Sequence, residues 1–285
     1  MNIQKAGKFK CTIGDYNAYP AVRNSLLKTL IQKSPAHYKY ELDNPRQPTP
    51  AMIAGEAIHA AALEPKLFKE NTVVQPIFEG RTAKGEITTS MNAKEVREQY
   101  DRWHFKMTNE NKRIVTQDQY DNIAGVLKSL ANHPGAVRLM SDGYAEESFI
   151  WQDPETGLWC KSRPDFYREG HLVVQLKSTE DAKWESFRKD IVNNGYHIGA
   201  AMEMDALTAV MGRPFDEYII IAVERSAPWG VQCFQLGERT LQEGQELFYK
   251  GLKTLKQCQD TGIFPAYADD VVYTDIPDWG FKGEV

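Results

Sequence analysis

Three side chains that could act together on a phosphate ester lie close in the sequence: Asp165, Gln175 and Lys177. Residues 175 and 177 are two apart, so on an extended strand both project from one face. A hairpin would set Asp165 opposite that pair, and an acid, an amide and an ammonium would converge. The chemistry that uses such a set is metal-assisted phosphodiester hydrolysis. Carboxylates hold magnesium through oxygen, the ion lowers the pKa of a bound water, and a lysine positions that water and offsets charge in the transition state. From spacing alone two readings stay open. An Asp-x9-Gln-x-Lys pattern also arises by chance, and a lysine on an exposed strand edge is a common guard against aggregation.

The surrounding sequence predicts elements that could position these residues. Residues 148–151 read as a strand, Asp153-Pro154-Glu155-Thr156-Gly157 as a turn, 158–167 as a second strand, Arg168-Glu169-Gly170 as another turn and 171–176 as a third strand, a meander of hairpins. The run 218–223 is apolar throughout, which predicts a central strand covered on both faces, with 231–236 pairing beside it. Helices are predicted over 181–194, 197–211 and about 239–259. Upstream, a short helix capped by Asn24 or Ser25 presents Leu26, Leu27, Leu30 and Ile31 on one face and stops at Ser34-Pro35. Thr49-Pro50 opens another that runs to about Leu63. Helices over 92–107 and 116–132 follow, the second capped by Thr116. Residues 1–20 read as irregular, 43–50 as a loop, 71–90 as a strand with a polar loop, and His133-Pro134-Gly135 as a helix stop. Together these predict one mixed α/β domain over 1–285: a helical N-terminal part to about 140, a core over about 141–260 and a tail over 261–285.

Composition narrows the function classes. Hydrophobic residues make up 42% and charged residues 26%, an ordinary globular balance. A net charge of −5 argues against a protein that coats nucleic acid by overall charge, yet leaves room for a local basic groove. No apolar run approaches the roughly eighteen residues of a membrane span. The opening residues lack the apolar core of a secretory signal, so the cytoplasm of a bacterial host is the expected location. Cys11, Cys160, Cys233 and Cys258 are scattered, with no CxxC pair, and are expected to be free or buried thiols rather than metal ligands.

One ordered set of short motifs is specific: Gly55-Glu56-Ala57-Ile58-His59, Leu63-Glu64-Pro65, Ala145-Glu146-Glu147-Ser148, Trp151, the 153–157 turn, Arg163-Pro164-Asp165, Leu176-Lys177-Ser178-Thr179 and Tyr196-His197. From about Tyr16 to the helix near residue 259, the chain resembles the nuclease domain of the RecE family, also called exonuclease VIII. That family lies in the PD-(D/E)XK superfamily with the RecB nuclease domain and lambda exonuclease. The resemblance implies a PD-(D/E)XK core, a mixed central sheet flanked by helices. It implies Mg2+ (or Mn2+) as cofactor and double-stranded DNA ends as substrate, one strand being degraded from its 5′ end to leave a 3′ single-stranded tail for recombination. Asp165 is implied as principal metal ligand, Lys177 as catalytic lysine, His59 as a metal-side residue on a helix behind the sheet, and Glu146 as an accessory acid. Arg81 and Lys84 in the 79–85 loop, with Arg163, are implied DNA contacts. A homo-oligomeric ring, a tetramer by resemblance, would give processivity, and the tail would pass to a RecT-like single-strand annealing protein. Plainer readings stand beside these: His59 as a core histidine, Glu146 as a solvated strand end beside Glu147, and Arg81 as a surface loop residue.

The chain departs from the family pattern twice. The Asp/Glu-x-Lys acid is Gln175, and the usual Gln-x-x-x-Tyr of the following helix is Gly199-Ala200-Ala201-Met202-Glu203. An amide oxygen can ligate a cation without a formal charge, at a cost of roughly 10²-fold or more in affinity or rate, since even outer-sphere changes cost 10–100-fold. Glu203, at the tyrosine position, is a candidate replacement for the missing charge at the metal. The competing expectations are a residue altered to trap metal or DNA, or a weakened relative that only binds DNA ends.

Overall fold

The computed structural model describes residues 5–47 and 49–277. Residues 1–4, 48 and 278–285, which include part of the expected 43–50 loop and the end of the expected tail, lie outside the described residues.

The chain opens with β1 (Gly7–Phe9), α1 (Ile13–Ala18), β2 (Val22–Arg23), α2 (Asn24–Gln32), α3 (Pro35–Asp43), α4 (Pro50–Leu63) and α5 (Pro65–Asn71). Next come β3 (Thr72–Val74), β4 (Gly80–Arg81), β5 (Ile87–Thr88), α6 (Lys94–Asn109), β6 (Arg113–Val115), α7 (Gln117–Asn132) and α8 (Pro134–Leu139). Strands β7 (Tyr144–Ala145), β8 (Ser148–Gln152), β9 (Trp159–Ser162), β10 (Phe166–Tyr167) and β11 (Leu172–Thr179) follow. The chain continues through α9 (Trp184–Asn193), α10 (Tyr196–Met211), β12 (Glu217–Glu224), β13 (Val231–Gln235) and α11 (Glu238–Thr261).

The central sheet has the order β13-β12-β11-β10-β7. Its β11 and β12 pair in parallel from Leu172 opposite Glu217 to Thr179 opposite Glu224, and the other neighbours are antiparallel. A parallel pair needs a long crossover, which α9 and α10 supply. The apolar run in β12 is central and covered on both faces, as its composition predicts. Tyr218, Ile220 and Ala222 pack with residues of α2, α10 and α11, while Ile221 and Val223 pack with residues of α4 and α7.

Several expectations are corrected. The predicted strand over 158–167 is two strands in two sheets, because β9 belongs to a four-stranded sheet of order β1-β8-β9-β2. The chain changes sheets at Arg163-Pro164-Asp165, where Pro164 has no N–H to continue a ladder. Within the expected irregular stretch 1–20, the described residues 5–20 are ordered into elements: β1 pairs with β8, and Thr12 and Asp15 form a capping box on α1. Ser34-Pro35 and His133-Pro134 follow the ends of α2 and α7 as expected, but each also starts a further helix. Ser34 and His133 cap α3 and α8 with proline in the first turn, the same arrangement as Thr49-Pro50 on α4. Arg23, not Asn24 or Ser25, stands at the cap position of α2, without a side-chain hydrogen bond. Among the described residues no helix is long and apolar enough to cross a membrane, and all four cysteines are free.

One buried charge ties the two N-terminal strands to the rest. Lys161 on β9 is 2% exposed, and its Nζ donates to the carbonyl oxygens of Tyr16 (2.7 Å), Asn17 (3.1 Å) and Tyr19 (2.7 Å). It thereby satisfies carbonyls that the end of α1 leaves open. Lys161→Met removes all three donors and is expected to lower unfolding free energy by roughly 2–4 kcal/mol in urea titrations. Unchanged stability would show that these bonds do not hold the segment.

Candidate metal centre

The β10–β11 hairpin pairs Phe166 with Val174, so the residue before β10 meets the middle of β11. That residue is Asp165, 6% exposed, whose Oδ2 accepts the Leu176 N–H at 2.8 Å. Helix α4 crosses β11 at Gly55, where a Cβ would stand 3.2 Å from Ser178 Oγ. One turn further along α4, His59 Nδ1 lies 3.4 Å from Asp165 Oδ2. Glu146 follows β7 with φ of +54°, a left-handed conformation that is uncommon outside glycine and concentrates at functional sites. Its N–H donates to the Asp165 carbonyl at 3.1 Å. One ligand atom each from His59, Glu146 and Asp165 lie within 4.8 Å of one another.

The charges in this cluster are unequal. Burial pushes the Asp165 carboxyl upward, but the charges of His59 and Lys177, with hydrogen bonds from His59 and Leu176, outweigh it and hold the group below the usual carboxylate range. Glu146 is shifted the other way by burial and by Asp165, against the pull of Arg163. The Arg163 Nε donates to Glu146 Oε2 at 2.6 Å, and its Nη1 donates to Cys11 O and Ser148 Oγ at 3.0 and 3.1 Å. Arg163, expected to touch DNA, is therefore placed behind Glu146 with its side chain 9% exposed. The neighbouring Glu147 turns away, paired with Lys8 at 3.2 Å and accepting from Tyr167.

Gln175 and Lys177 lie on the face of β11 that meets α10. The Tyr218 hydroxyl on β12 donates to Glu203 Oε2 at 2.8 Å and also stands 3.3 Å from Gln175 Oε1; its single proton serves one acceptor at a time. Lys177 Nζ is 5.5 Å from the centroid of the Tyr196 ring. Burial first, and the Asp165 charge second, push the Glu203 carboxyl up to about 8. Glu203 thus lies beside Gln175 but is not one of the three clustered groups. Arg81 and Lys84 sit on the exposed β4–β5 hairpin, where Arg81 Nη1 donates to Gly85 O and its N–H to Glu95. These contacts do not bring either side chain to the cluster. Tyr218 was missed in the sequence because it reads as part of an apolar strand. The period-2 rule puts it on the face of Ile220, which pairs with Gln175, once the parallel register is known.

Residues 24–277 match the family described as a PDDEXK-like domain of unknown function (DUF3799). The chain belongs to that family. Its fold is the PD-(D/E)XK nuclease-like fold that the sequence resemblance implied. A solved structure of a candidate exonuclease from Eubacterium rectale is similar over 97% of this chain and 100% of its own, with a TM-score of 0.63 at 14% identity. An alkaline exonuclease from Laribacter hongkongensis aligns over 72% of this chain and 95% of its own, with a TM-score of 0.29 at 11% identity. No curated protein matches the chain.

PD-(D/E)XK nucleases use a divalent metal, and the donor set of this DUF3799 chain fits one. Two carboxylates and an imidazole converge, and the described residues donate hydrogen bonds to only one oxygen of each carboxylate. Asp165, Glu146 and His59 are the residues that would hold the ion.

The Glu203 shift has a signed consequence for the metal-free chain. A carboxyl whose folded pKa is raised keeps its proton longer in the native state, so its share of stability falls as pH rises from the unfolded value, about 4.3, to about 8, and then levels. Glu203→Gln is expected to abolish that decline, gaining on the order of a few kcal/mol over the original chain at pH 8 and almost nothing at pH 4. Urea unfolding in EDTA at both pH values reads the difference. Parallel pH profiles of the two proteins would mean that the Glu203 carboxyl titrates alike in the folded and unfolded chains.

Proposed function

We propose that this protein is a metal-dependent exonuclease that degrades one strand of linear double-stranded DNA in the 5′-to-3′ direction, leaving 3′ single-stranded tails for recombination. The observation that carries this reading is the His59–Glu146–Asp165 cluster beside a strand-borne lysine in a PD-(D/E)XK fold. Magnesium is the proposed ion, and manganese a substitute; when bound, it would lower the pKa of a ligated water and polarise a phosphoryl oxygen.

The protein's own groups account for the rest. Asp165 is kept ionised in a nearly dry site by Lys177, His59 and the Leu176 N–H, so it is ready to bind a cation without first losing a proton. Arg163 orients Glu146 toward the same point. Lys177 presents an ammonium that can hold an attacking water and oppose charge building on a phosphate oxygen. Gln175 offers a neutral oxygen where relatives have a charge, and Glu203 is one helix away with a titratable carboxyl. In keeping with the family resemblance, a homo-oligomeric ring would keep the enzyme on DNA, and a RecT-like annealing protein would receive the tail. A second reading, a DNA-end-binding scaffold without catalysis, is favoured by one observation only, the uncharged Gln175.

The test is incubation of a linear 5′-phosphorylated duplex and a covalently closed circle with Mg2+ or Mn2+. The linear DNA should be shortened from its 5′ ends, the circle should survive, and Asp165→Ala should cleave neither. Gln175→Glu should raise the rate by roughly 10-fold or more. Intact linear DNA with retained end binding would overturn the nuclease reading in favour of the scaffold.

A further inference from the structure

Two ammonium groups, not one, lie near the Tyr196 ring at the start of α10. Lys177 Nζ lies 5.5 Å and Lys28 Nζ 5.9 Å from the centroid of the same Tyr196 ring. Neither lysine is paired with a carboxylate among the described residues. The one hydrogen bond recorded for Lys28 Nζ goes to the Asn194 carbonyl at 2.8 Å, which leaves two of its three donors for another partner. Burial first, and the charge of Lys177 second, push the Lys28 ammonium down to about 8. Glu203 pulls it back, but that carboxyl itself holds its proton up to about 8. Lys177 has the Asp165 charge near it, but Lys28 has no ion-paired carboxylate among the described residues, and an anion beside its free donors would relieve it.

The lysine is also seated by the fold. Asn24 and Lys28 are one turn apart on α2, and they lie over Gly199 and Gly195, one turn apart at the start of α10. A Cβ at Gly195 would stand 2.9 Å from Lys28 Cδ, and one at Gly199 would stand 2.5 Å from Asn24 Nδ2. Gly195 has φ of +60° as well, a backbone conformation that favours glycine there. Along the same seam, Arg23 Nε and Asn24 Oδ1 are buried without a hydrogen-bond partner among the described residues. A purely structural role exists, since Lys28 and Gln32 together cap the carbonyls ending α9. That role needs one donor and no second cation beside Lys177.

We propose that Lys28 is a positioning residue that binds a backbone phosphate of the DNA strand next to the phosphate engaged at Asp165 and Lys177. The proposal rests on the nuclease reading for its substrate class. It gives α2 a task that Gly199 and Glu203 leave open, because the usual side chains of α10 are absent at that seam.

The experiment measures binding, not cleavage. Fluorescence anisotropy in EDTA would follow the full chain on a set of linear duplexes, each with one neutral methylphosphonate replacing a phosphate near the 5′ end of one strand. The unaltered protein should lose roughly 5- to 10-fold in affinity at one position because a charged hydrogen bond is lost there. Lys28→Met should bind the unmodified duplex weaker by the same factor, be indifferent to substitution at that one position, and keep the original response elsewhere. Lys28→Arg should restore the original profile. A Lys28→Met protein with the original positional profile, whether its affinity is unchanged or uniformly weaker, overturns the proposal, as does an unaltered protein that responds at no position. Since the measurement needs neither metal nor turnover, absence of cleavage would count against the nuclease reading while leaving this result to stand or fall separately.

Discussion

A carboxylate held ionised almost out of contact with water is the constraint on which the rest of this molecule depends. Removing a charge from water costs several kcal/mol unless it is paired and hydrogen-bonded. Asp165 meets that requirement with the Leu176 N–H from the neighbouring strand, His59 from α4 and the charge of Lys177. Each partner comes from a different part of the chain. The sheet change at Pro164 brings Asp165 beside β11, the close approach at Gly55 brings α4 down onto β11, and the parallel β11–β12 pair fixes the plane from which Lys177 projects.

The second half of the site follows from the same electrostatics. A glutamate at 175 would set two carboxylates around the single Tyr218 hydroxyl, within range of the Asp165 charge. Like charges at that separation raise each other's pKa and keep one proton between them. With glutamine at 175 and glutamate at 203, one carboxyl remains around that hydroxyl, and it shares the phenol with a neutral amide. The two departures from the family pattern meet in space: β11 carries an amide where relatives carry a carboxyl, and a carboxyl stands on α10 within reach of the same Tyr218 hydroxyl. The glycine at 199 has a counterpart of the same kind, since the amide of Asn24 fills the space that a side chain there would take.

Much of the framework was legible. Apolar periodicity marked α7 and α11, the unbroken apolar run marked β12 as central, and the cap-then-proline signal marked α4. The same signal was misread at Ser34-Pro35 and His133-Pro134, because a proline that ends one helix can equally open the next, and only the downstream packing of Tyr38, Ala136 and Leu139 decides which. The break at residue 163 was also hidden. Val22 and Arg23 pair with Cys160 and Lys161 from far away in sequence, and no local propensity records that a strand is shared out between two sheets.

The sequence by itself determined the inventory: an acid, an amide and a lysine at strand spacing, with motifs that named the fold, since spacing and residue type are local properties. It also showed that one acid was missing. Tertiary structure decided which candidates meet. It separated Glu146 from the adjacent Glu147, turned Arg163 inward to hold Glu146, left Arg81 and Lys84 on an exposed hairpin, and set Lys28 of α2 and Lys177 of β11 near one tyrosine ring. Those outcomes depend on long-range pairing and helix crossing, where two neighbours in sequence can face opposite ways and a burial energy summed over the whole core selects between them.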